Sequence, residues 1–409
     1  MQDRELYQQI LGLHSPWSVG AIQLDVQRRR VGVVVEHPEG TRFECPECGC
    51  SLACYDHVPE REWRHLDTMQ FQTILKARVP RVNCPEHGVK QVHVPWAEKG
   101  SHFTLLFERL AIDVLLATQT VTGAMAILGT KWDQTWGIVQ RAVARGQARK
   151  QPLRLPRVGI DEKAFAKRHK DITLLYDLDR STVEAISDGH NTESGVACLS
   201  ELSDEQLQSI EAIAMDMSPA YVSAAKQVIP LAEEKIVHDR FHVMQLATRA
   251  VDQVRRAEHR ELLAHGDDRL SKTKYVWITS QEHLSEKQQA LFDETYTLQL
   301  RTGKAWAFKE MLRDLWTQPD TSSATGYFQA WYQRVIHTRM EPLKQVARTI
   351  KERLRNVVSD CTHGITNAVA EGLNSKIMAI KRRVGGYRNR EHFKTAILFH
   401  CGGLSLYPQ

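Results

Sequence analysis

The chain has 409 residues, of which 42% are hydrophobic and 25% charged, and its formal net charge is +5. This length predicts two to four domains with a sizeable buried core. No apolar run approaches the roughly 18 to 20 residues of a membrane span, and the N-terminus lacks a signal-peptide pattern. We therefore expect a cytoplasmic protein with no membrane partner. The small net charge is weak evidence about nucleic acid, so local basic clusters must decide that question.

The first 97 residues predict a small β module that holds a metal ion. Cys45-x-x-Cys48 and Cys84-x-x-His87 supply two ligand pairs about forty residues apart. Four such ligands form a closed tetrahedral site, which favours structural Zn²⁺ over a catalytic ion because no position stays open. The alternative is that these cysteines lie in turns of a module without metal. Four other residues could replace a ligand: Cys50, Cys54, His57 and His93.

Residues 101–148 predict a helix-turn-helix DNA-binding domain. Apolar residues from Phe103 to Leu115 follow helical spacing, a second helix begins at Thr120, Gly129 supplies a turn, and Trp132 to Ala144 form a third helix. Many small helical bundles share this pattern. The candidates for contact with a DNA groove are Lys131, Gln134, Thr135 and Arg141.

A linker at 151–156 leads to a stretch in which strands and helices alternate, which indicates a mixed α/β sheet. Residues 243–360 then read as nearly all helix, and a last helix from Ile365 to about Val384 ends at Gly385-Gly386. The strand candidates are Arg157–Asp161, Ile172–Leu178, Thr182–Ser187, Ile210–Met217 and Lys235–Asp239.

Three acids stand out in this second half. Asp161 and Asp216 each close a short apolar run, and Glu371 lies on the last helix. Two acids at neighbouring strand ends, with a third from a helix, can hold a pair of divalent cations that clamp the oxygens of a phosphodiester. The plainer alternative makes Asp161 and Asp216 turn residues at strand ends and places Glu371 on a solvated face.

The last helix carries an apolar face and an opposite face with Asn367, Glu371 and Asn374. Basic residues continue beyond its end, which suits a phosphate backbone as well as an ordinary solvated surface. The candidate DNA contacts in this region are Asn374, Lys376, Lys381, Arg382, Arg383, Arg388 and Arg390.

Other polar residues near the predicted strand ends compete for roles. Asp239 and His242 form an Asp-x-x-His pair, for which we favour support of the acidic site through hydrogen bonds over direct contact with DNA. Asp179 belongs to a hairpin turn, and strand alternation points Glu162 away from Asp161. Asp177 is a further competing acid.

Several motifs occur in one order along almost the whole chain: Cys45-Pro-Glu-Cys-Gly, Trp63-Arg-His-Leu, Gly159-Ile-Asp-Glu, Met215-Asp-Met-Ser-Pro-Ala-Tyr, Asp239-Arg-Phe-His-Val and Asn367-Ala-Val-Ala-Glu-Gly-Leu-Asn-Ser-Lys. With them the chain resembles the DDE transposases of bacterial insertion sequences, in the zinc-ribbon-bearing insertion-sequence "L-three" family. Family members often carry a Cys where His87 falls.

The resemblance implies a multidomain α+β protein with a zinc-ribbon-like β module (1–97), a helix-turn-helix (101–148) and a ribonuclease H-like catalytic domain (157–242 and 361–409) interrupted by an all-helical insertion (243–360). It implies that Asp161, Asp216 and Glu371 bind two catalytic Mg²⁺ ions, for which Mn²⁺ can substitute. The implied partner is double-stranded DNA, as transposon ends and target, bound by a homodimer at the bacterial nucleoid. The alternatives are a DNA-binding regulator on a silent scaffold and a metal-dependent nuclease without strand transfer.

Overall fold

The structure is a computed structural model that describes residues 3–166, 170–296, 299–365 and 368–409. Asn367 lies outside the described residues. The chain forms two compact units, of which the first comprises Met1–Lys150, Leu398–His400 and Leu404–Gln409, and the second comprises Gln151–Ile397 and Cys401–Gly403. Within the described ranges, no helix combines the length and the apolar character that crossing a membrane would need.

The first unit begins with a β-rich module that is followed by three helices. Its elements are α1 (Asp3–Ile10), β1 (Ser18–Asp25), β2 (Arg30–Glu36), β3 (Arg42–Glu44), β4 (Ser51–His57), β5 (Arg61–Arg64), β6 (Gln72–Ala77), β7 (Pro80–Cys84), β8 (Gly88–Gln91), α2 (Leu105–Thr118), α3 (Val121–Leu128) and α4 (Trp132–Ala148).

The strands of the module form two interleaved four-stranded sheets. One sheet has the order β1-β2-β6-β5, with β2 and β6 parallel, and the other is antiparallel with the order β3-β4-β7-β8. The chain therefore leaves the first sheet after β2, returns for β5 and β6, and leaves again. One apolar core, which includes Val33, Leu75, Val82 and the fully buried Trp63, serves both sheets.

The three helices α2, α3 and α4 have the order and spacing that the sequence predicts for a helix-turn-helix. Thr104 caps α2 by accepting the Phe107 N–H, and α3 ends at Gly129, whose φ of 63° suits a residue without a side chain. Phe107, Ile112 and Ile138 fill the core between the helices.

The second unit contains a mixed sheet and a long helical region. Its elements are β9 (Arg157–Ala166), β10 (Lys170–Asp177), β11 (Thr182–Asp188), α5 (Thr192–Leu199), α6 (Asp204–Ser209), β12 (Ala212–Met215), α7 (Pro219–Val228), α8 (Ala232–Lys235), β13 (Ile236–His238), α9 (Arg240–Ala264), α10 (Lys274–Ile278), α11 (Glu286–Tyr296), α12 (Arg301–Arg313), α13 (Thr321–Ile336), α14 (Glu341–Glu352), α15 (Leu354–Val358), α16 (Asp360–His363), α17 (Ala368–Arg383) and α18 (Arg390–Cys401).

Among the residues described, five strands form this sheet in the order β11-β10-β9-β12-β13. The first three strands pair antiparallel, whereas β12 pairs parallel with both β9 and β13. The strand predicted as Arg157–Asp161 is wrong at its C-terminal end, because β9 continues to Ala166. The reason is that β10 pairs with β9 past Asp161 and keeps the strand extended.

The helical region from α9 to α16 has its own apolar core around Trp277, Phe328 and Trp331, as a helical stretch over 243–360 predicts. After it, α17 packs Leu373, Ile377 and Ile380 into a second core that also holds residues of the sheet. The helix ends just before Gly385 and Gly386, which both have positive φ, and the Gly386 N–H closes the last turn on the Lys381 carbonyl at 2.9 Å.

Candidate active site and metal centre

The four predicted zinc ligands come together in the first unit. Cys45 and Cys48 lie between β3 and β4, Cys84 ends β7, and His87 precedes β8, so that each pair sits at one turn of the same sheet. One ligand atom from each of these residues lies within 4.8 Å of the other three.

The spacing of these atoms fits a tetrahedral zinc ion. Cys48 Sγ is 3.7 Å from Cys84 Sγ, and His87 Nδ1 lies 3.5 Å from Cys84 Sγ and 4.0 Å from Cys45 Sγ. A tetrahedron with zinc–sulfur bonds of about 2.3 Å has edges of about 3.8 Å between sulfurs and about 3.6 Å from sulfur to nitrogen.

The chemistry of the donor set fits zinc as well. The backbone N–H of Glu47 lowers the pKa of the Cys45 thiol to about 7, which favours the thiolate that binds metal. None of the four alternative ligands belongs to this group of atoms: Cys50, Cys54, His57 and His93. The residues present therefore fit one structural zinc ion.

Two predicted groove contacts of the helix-turn-helix point inward instead. Thr135 is fully buried and shares a hydrogen bond of 2.7 Å with the Thr130 hydroxyl. Arg141 donates two hydrogen bonds to the buried carboxylate of Glu108, which also accepts from Arg145 at 3.0 Å. The two arginines thus connect α4 to Glu108 on α2, whereas Thr135 joins α4 to the turn before it. The spacing contained the signal for Thr135, because it lies four residues before the buried Val139 on α4.

The other two groove candidates are exposed at the start of α4. The Gln134 side chain accepts the Lys131 backbone N–H at 2.9 Å, and both side chains face solvent. Farther along α4, Arg145, which bonds Glu108, also pairs with Glu98 through two hydrogen bonds of 2.7 Å, and this pairing lowers the pKa of Glu98. Contact of Lys131 and Gln134 with DNA stays a prediction.

The strand register of the second unit places three acids side by side. Ala214 pairs with Gly159 on β9, and Ile213 pairs with Ile236 on β13. If the same register continues by two or three residues, it aligns Asp216 with Asp161 on one side and with Asp239 on the other. Adjacent strands lie about 4.8 Å apart, and residues at one level of parallel strands share a face. Asp161 thus lies in mid-strand, yet just beyond the point where β12 stops pairing with β9.

Asp216 lies in a confined, acidic environment. Burial raises its pKa, and the charges of Asp161 and Asp239 raise it further, whereas the Ser218 N–H at 2.8 Å and the charge of His242 lower it. His238, whose pKa burial lowers to about 4, bonds through Nδ1 to the Asp216 carbonyl at 3.1 Å. A divalent cation would relieve this carboxylate repulsion, and hard cations prefer such oxygen ligands.

Helix α17 is tied to the sheet at Asp161. Asn374 Nδ2 donates to Asp161 Oδ2 at 2.7 Å, and the buried Tyr176 hydroxyl donates to Asn374 Oδ1 at 2.5 Å. Lys163 Nζ also lies 3.0 Å from Asp161 Oδ2. Asn374 is 8% exposed and both polar atoms of its amide are bonded within the protein, so its place differs from the DNA-facing one that we predicted. Sequence reasoning missed Tyr176 and Lys163.

Glu371 is exposed and lies one helical turn before Asn374, which puts both residues on the same face of α17. The oxygens of Asp161, Asp216 and Glu371 do not all lie within 4.8 Å of one another in the part of the chain that is described. Two ions about 4 Å apart, with bonds of about 2 Å, span carboxylates up to roughly 8 Å apart. The three carboxylates therefore do not surround a single ion as they stand.

The remaining acids near the sheet have other partners. Asp177 is buried and accepts the N–H groups of Asp179 and Arg180 in the turn between β10 and β11, and Asp179 pairs with Arg157. Burial raises the pKa of Glu162, and the charges of Asp161 and Asp216 raise it further, so Glu162 lies near both acids despite strand alternation.

The Asp-x-x-His pair lies beside the acidic row. His242 Nε2 is 3.8 Å from Asp239 Oδ2, and Asp239 caps α9 by accepting the Phe241 N–H at 3.0 Å. The charge of His242 lowers the pKa of Asp216, and the charge of Asp239 raises it. The pair thus lies near Asp216, and its support of the acidic site through hydrogen bonds stays a prediction.

Most of the predicted basic residues beyond Asn374 are exposed. Lys376, Arg382, Arg383 and Arg388 face solvent. Two others are engaged with the sheet: Lys381 Nζ donates to the Ala164 carbonyl at 2.7 Å, and Arg390 pairs with Asp188 at 3.1 Å. Contact of any of them with DNA stays a prediction.

Comparison with known proteins finds a family match for the zinc-binding module, for the helix-turn-helix and for the second unit. Residues 41–87 match the zinc-finger of transposase IS204/IS1001/IS1096/IS1165, residues 92–143 match the helix-turn-helix domain of transposase family ISL3, and residues 158–397 match the ISL3 family model described as a transposase. The matched zinc-finger residues include all four predicted ligands.

Two curated relatives align over most of the chain. The transposase for insertion sequence element IS1001 of Bordetella parapertussis is 24% identical over 400 residues, which cover 96% of this chain and 97% of the relative. The transposase for insertion sequence element IS1557 of Mycobacterium tuberculosis is 26% identical over 372 residues, which cover 84% and 82%. Because the 158–397 match alone spans more than half of the chain, the protein belongs to transposase family ISL3.

Proposed function

We propose that this protein is a DDE transposase that binds the terminal inverted repeats of an insertion sequence and carries out two-metal-ion strand cleavage and strand transfer. The observation that carries the proposal is the closeness of Asp216 to Asp161, which follows from the pairing of Ala214 with Gly159 and from the effect of the Asp161 charge on the pKa of Asp216. In addition, Glu371 lies one turn of α17 before the Asn374 that bonds Asp161. The sheet order, with three antiparallel strands followed by two parallel ones, supports a ribonuclease H-like domain.

Asp161, Asp216 and Glu371 would hold two Mg²⁺ ions. Mn²⁺ offers a substitute with the same preference for oxygen ligands. When bound, such ions polarise the phosphodiester and lower the pKa of a bound water. The chain itself holds Asp161 in one orientation through Asn374 and Lys163, and stabilises Asp216 through the Ser218 N–H.

The DNA would be held by the other parts of the chain. The zinc module and the exposed start of α4, with Lys131 and Gln134, would recognise the terminal repeats, and the exposed arginines after Glu371 would contact the phosphate backbone. Two ends must be joined in one reaction, so we propose a homodimer on paired ends at the bacterial nucleoid.

Cleavage of labelled DNA that carries the element's own ends tests this proposal, with wild type compared with Asp216→Asn in Mg²⁺. We expect cleavage and joined products from wild type, and a loss of at least a thousandfold in the variant with end binding retained. Cleavage without joined products would favour a nuclease. End binding without cleavage in Mg²⁺ or Mn²⁺ would favour a DNA-binding regulator.

A further inference from the structure

A second group of side chains of metal-binding type lies in the first unit and shares no residue with the four ribbon ligands. His37 directly follows β2, and Cys54 and His57 belong to β4. All three are half-buried and line one cavity of about 630 Å³. The zinc-finger match covers residues 41–87 and thus includes Cys54 and His57, but the four ligands that cluster in the ribbon are complete without them.

The two imidazole rings face each other through their nitrogens. Nε2 of His37 lies 2.9 Å from Nε2 of His57, while the ring centroids are 5.1 Å apart and the ring planes differ by only 14°. The rings are therefore nearly coplanar and meet head to head. At this distance one nitrogen must carry a proton and the other must accept it.

The contacts of His37 indicate which nitrogen accepts. Its Nδ1 lies 3.0 Å from the Pro38 carbonyl oxygen, so Nδ1 carries a proton and Nε2 keeps its lone pair. A histidine that binds metal through one nitrogen commonly donates its other N–H to a backbone carbonyl in this way. The backbone thus already holds Nδ1 of His37 as in many metal-bound histidines, and both rings need only turn out of line to place their Nε2 atoms about 3.4 Å apart on one tetrahedral ion.

Cys54 adds a sulfur to the pair. Its Sγ lies 3.8 Å from His57 Nε2, close to the sulfur–nitrogen edge of about 3.6 Å in a tetrahedral zinc site. Within the described residues only the ribbon ligands all lie within 4.8 Å of one another, so Cys54 Sγ is farther than that from His37 Nε2. In its present rotamer Cys54 Sγ lies 3.4 Å from the Asp56 carbonyl oxygen, and rotation about the Cα–Cβ bond between staggered rotamers moves the sulfur by about 3 Å.

The charge around the cavity favours a cation. Its lining includes the carboxylates of Glu36, Glu39, Asp56 and Glu60, against the single guanidinium of Arg78. Asp56 is paired with Arg81, which leaves three acids beside one arginine.

We propose that His37, His57 and Cys54 form a second metal site, which binds a zinc-class divalent transition metal through two imidazoles and a thiolate. On binding, the proton that lies between the two Nε2 atoms moves to Nδ1 of His57, so that both rings coordinate as neutral imidazoles, and the thiol releases its proton to solvent. Three protein ligands leave a fourth position for water or a carboxylate of the cavity. The ion joins β2 of one sheet to β4 of the other, and so fastens together the two sheets that the ribbon zinc does not connect.

Metal titration of the full-length chain tests this proposal. The protein is stripped of metal, and Zn²⁺ is added in competition with a chromophoric chelator; Co²⁺ is then used to follow sulfur-to-metal charge transfer. Asp216→Asn serves as the background throughout, so that ions at the acidic row are not counted. We expect two equivalents per chain, and a single one in the double variant His37→Ala/His57→Ala. The ribbon's own charge-transfer band should persist in that variant and so show that its module is folded.

Two single variants refine the result. Cys54→Ser should weaken the second equivalent at least tenfold and remove its sulfur band, while His93→Ala, which removes an exposed histidine of the same module, should leave both equivalents unchanged. The proposal is overturned if the parent chain binds one equivalent only, or if the double variant still binds two.

Discussion

Asn374 and Asp161 lie 213 residues apart in the chain, yet their side chains meet at 2.7 Å between Nδ2 and Oδ2. This bond fixes the rotation of a carboxylate whose charge, like that of Asp239, acts on Asp216. It also fixes α17, and with it Glu371, against β9. The buried Tyr176 hydroxyl accounts for the orientation of the amide, because it occupies the Asn374 oxygen and leaves the nitrogen to face Asp161.

Changes at this bond should slow cleavage without weakening DNA binding. Asn374→Ala removes the donor to Asp161, and we expect cleavage to fall roughly a hundredfold, since a misplacement of about 1 Å can cost that much. Tyr176→Phe should cost about tenfold, because the amide loses its orientation. Single-turnover cleavage and end binding measure the two effects separately.

Tyr387→Phe is the matched control, because Tyr387 is a half-buried tyrosine that packs on Phe393 in the same core. It should cleave at the wild-type rate. Equal rates for Tyr176→Phe and Tyr387→Phe would contradict a positioning role for Tyr176.

The sequence was sufficient for contacts that are local or that repeat a known spacing. The ribbon ligands occur as two short pairs, and the helices of the helix-turn-helix follow from apolar spacing and Gly129. The sequence was insufficient where a residue's contact partner lies far away along the chain. The extension of β9 past Asp161 depends on β10, and the burial of Asn374 depends on Tyr176, which is 198 residues away. Arg141 looked like a surface residue because Glu108, its buried partner, lies on another helix.

The raised pKa of Asp216 predicts a pH-dependent stability. In the folded protein this carboxyl holds its proton more strongly than in the unfolded chain, so it stabilises the fold below about pH 4 and loses that contribution as pH rises through the raised pKa. Without added Mg²⁺, Asp216→Asn should therefore raise Tm, and by more at pH 8 than at pH 5. Thermal unfolding at the two pH values measures this. The control Asp293→Asn changes an exposed aspartate and should show no such difference.

Glu371 should be indispensable although it is exposed. We expect Glu371→Gln to lower Mg²⁺-dependent cleavage at least a thousandfold, because a neutral amide is a poor ligand for a divalent cation. Glu352→Gln, which changes another exposed glutamate on a helix of the same unit, should cleave like wild type. Cleavage assays of both variants on the same labelled ends make the comparison, and retained activity of Glu371→Gln would remove it from the proposed triad.

Loss of the ribbon zinc should unfold the β module. Cys84→Ser removes a buried ligand, so the variant should lose this ion and hydrogen-exchange protection in β3, β4, β7 and β8. Cys50→Ser, which changes an exposed cysteine outside the ligand set, should keep both. Hydrogen exchange by mass spectrometry, with metal analysis of the same samples, gives the answer. Full protection in Cys84→Ser would show that the module does not need zinc.

Glu108 should be a strong determinant of stability in the helix-turn-helix. Glu108→Ala leaves the buried guanidinium of Arg145 with one carboxylate fewer and Arg141 with none of its present bonds, so we expect a loss of about 3–5 kcal/mol. The exposed Asp113 on the same helix is the control, and Asp113→Ala should cost about 1 kcal/mol or less. Urea unfolding followed by tryptophan fluorescence measures both, and equal losses would contradict the prediction.

The interleaving of the two N-terminal sheets has a consequence for synthesis of the protein. As the chain leaves the ribosome, β3 and β4 emerge before β6, the strand that pairs with β2 in the first sheet. The second sheet, to which β3 and β4 belong, is complete only after β7 and β8 have emerged. Cys45 and Cys48 are likewise made well before Cys84 and His87. A nascent chain shorter than about ninety residues thus exposes unpaired edges and two thiols that have no complete ligand set, which is the condition under which chaperones engage a growing polypeptide.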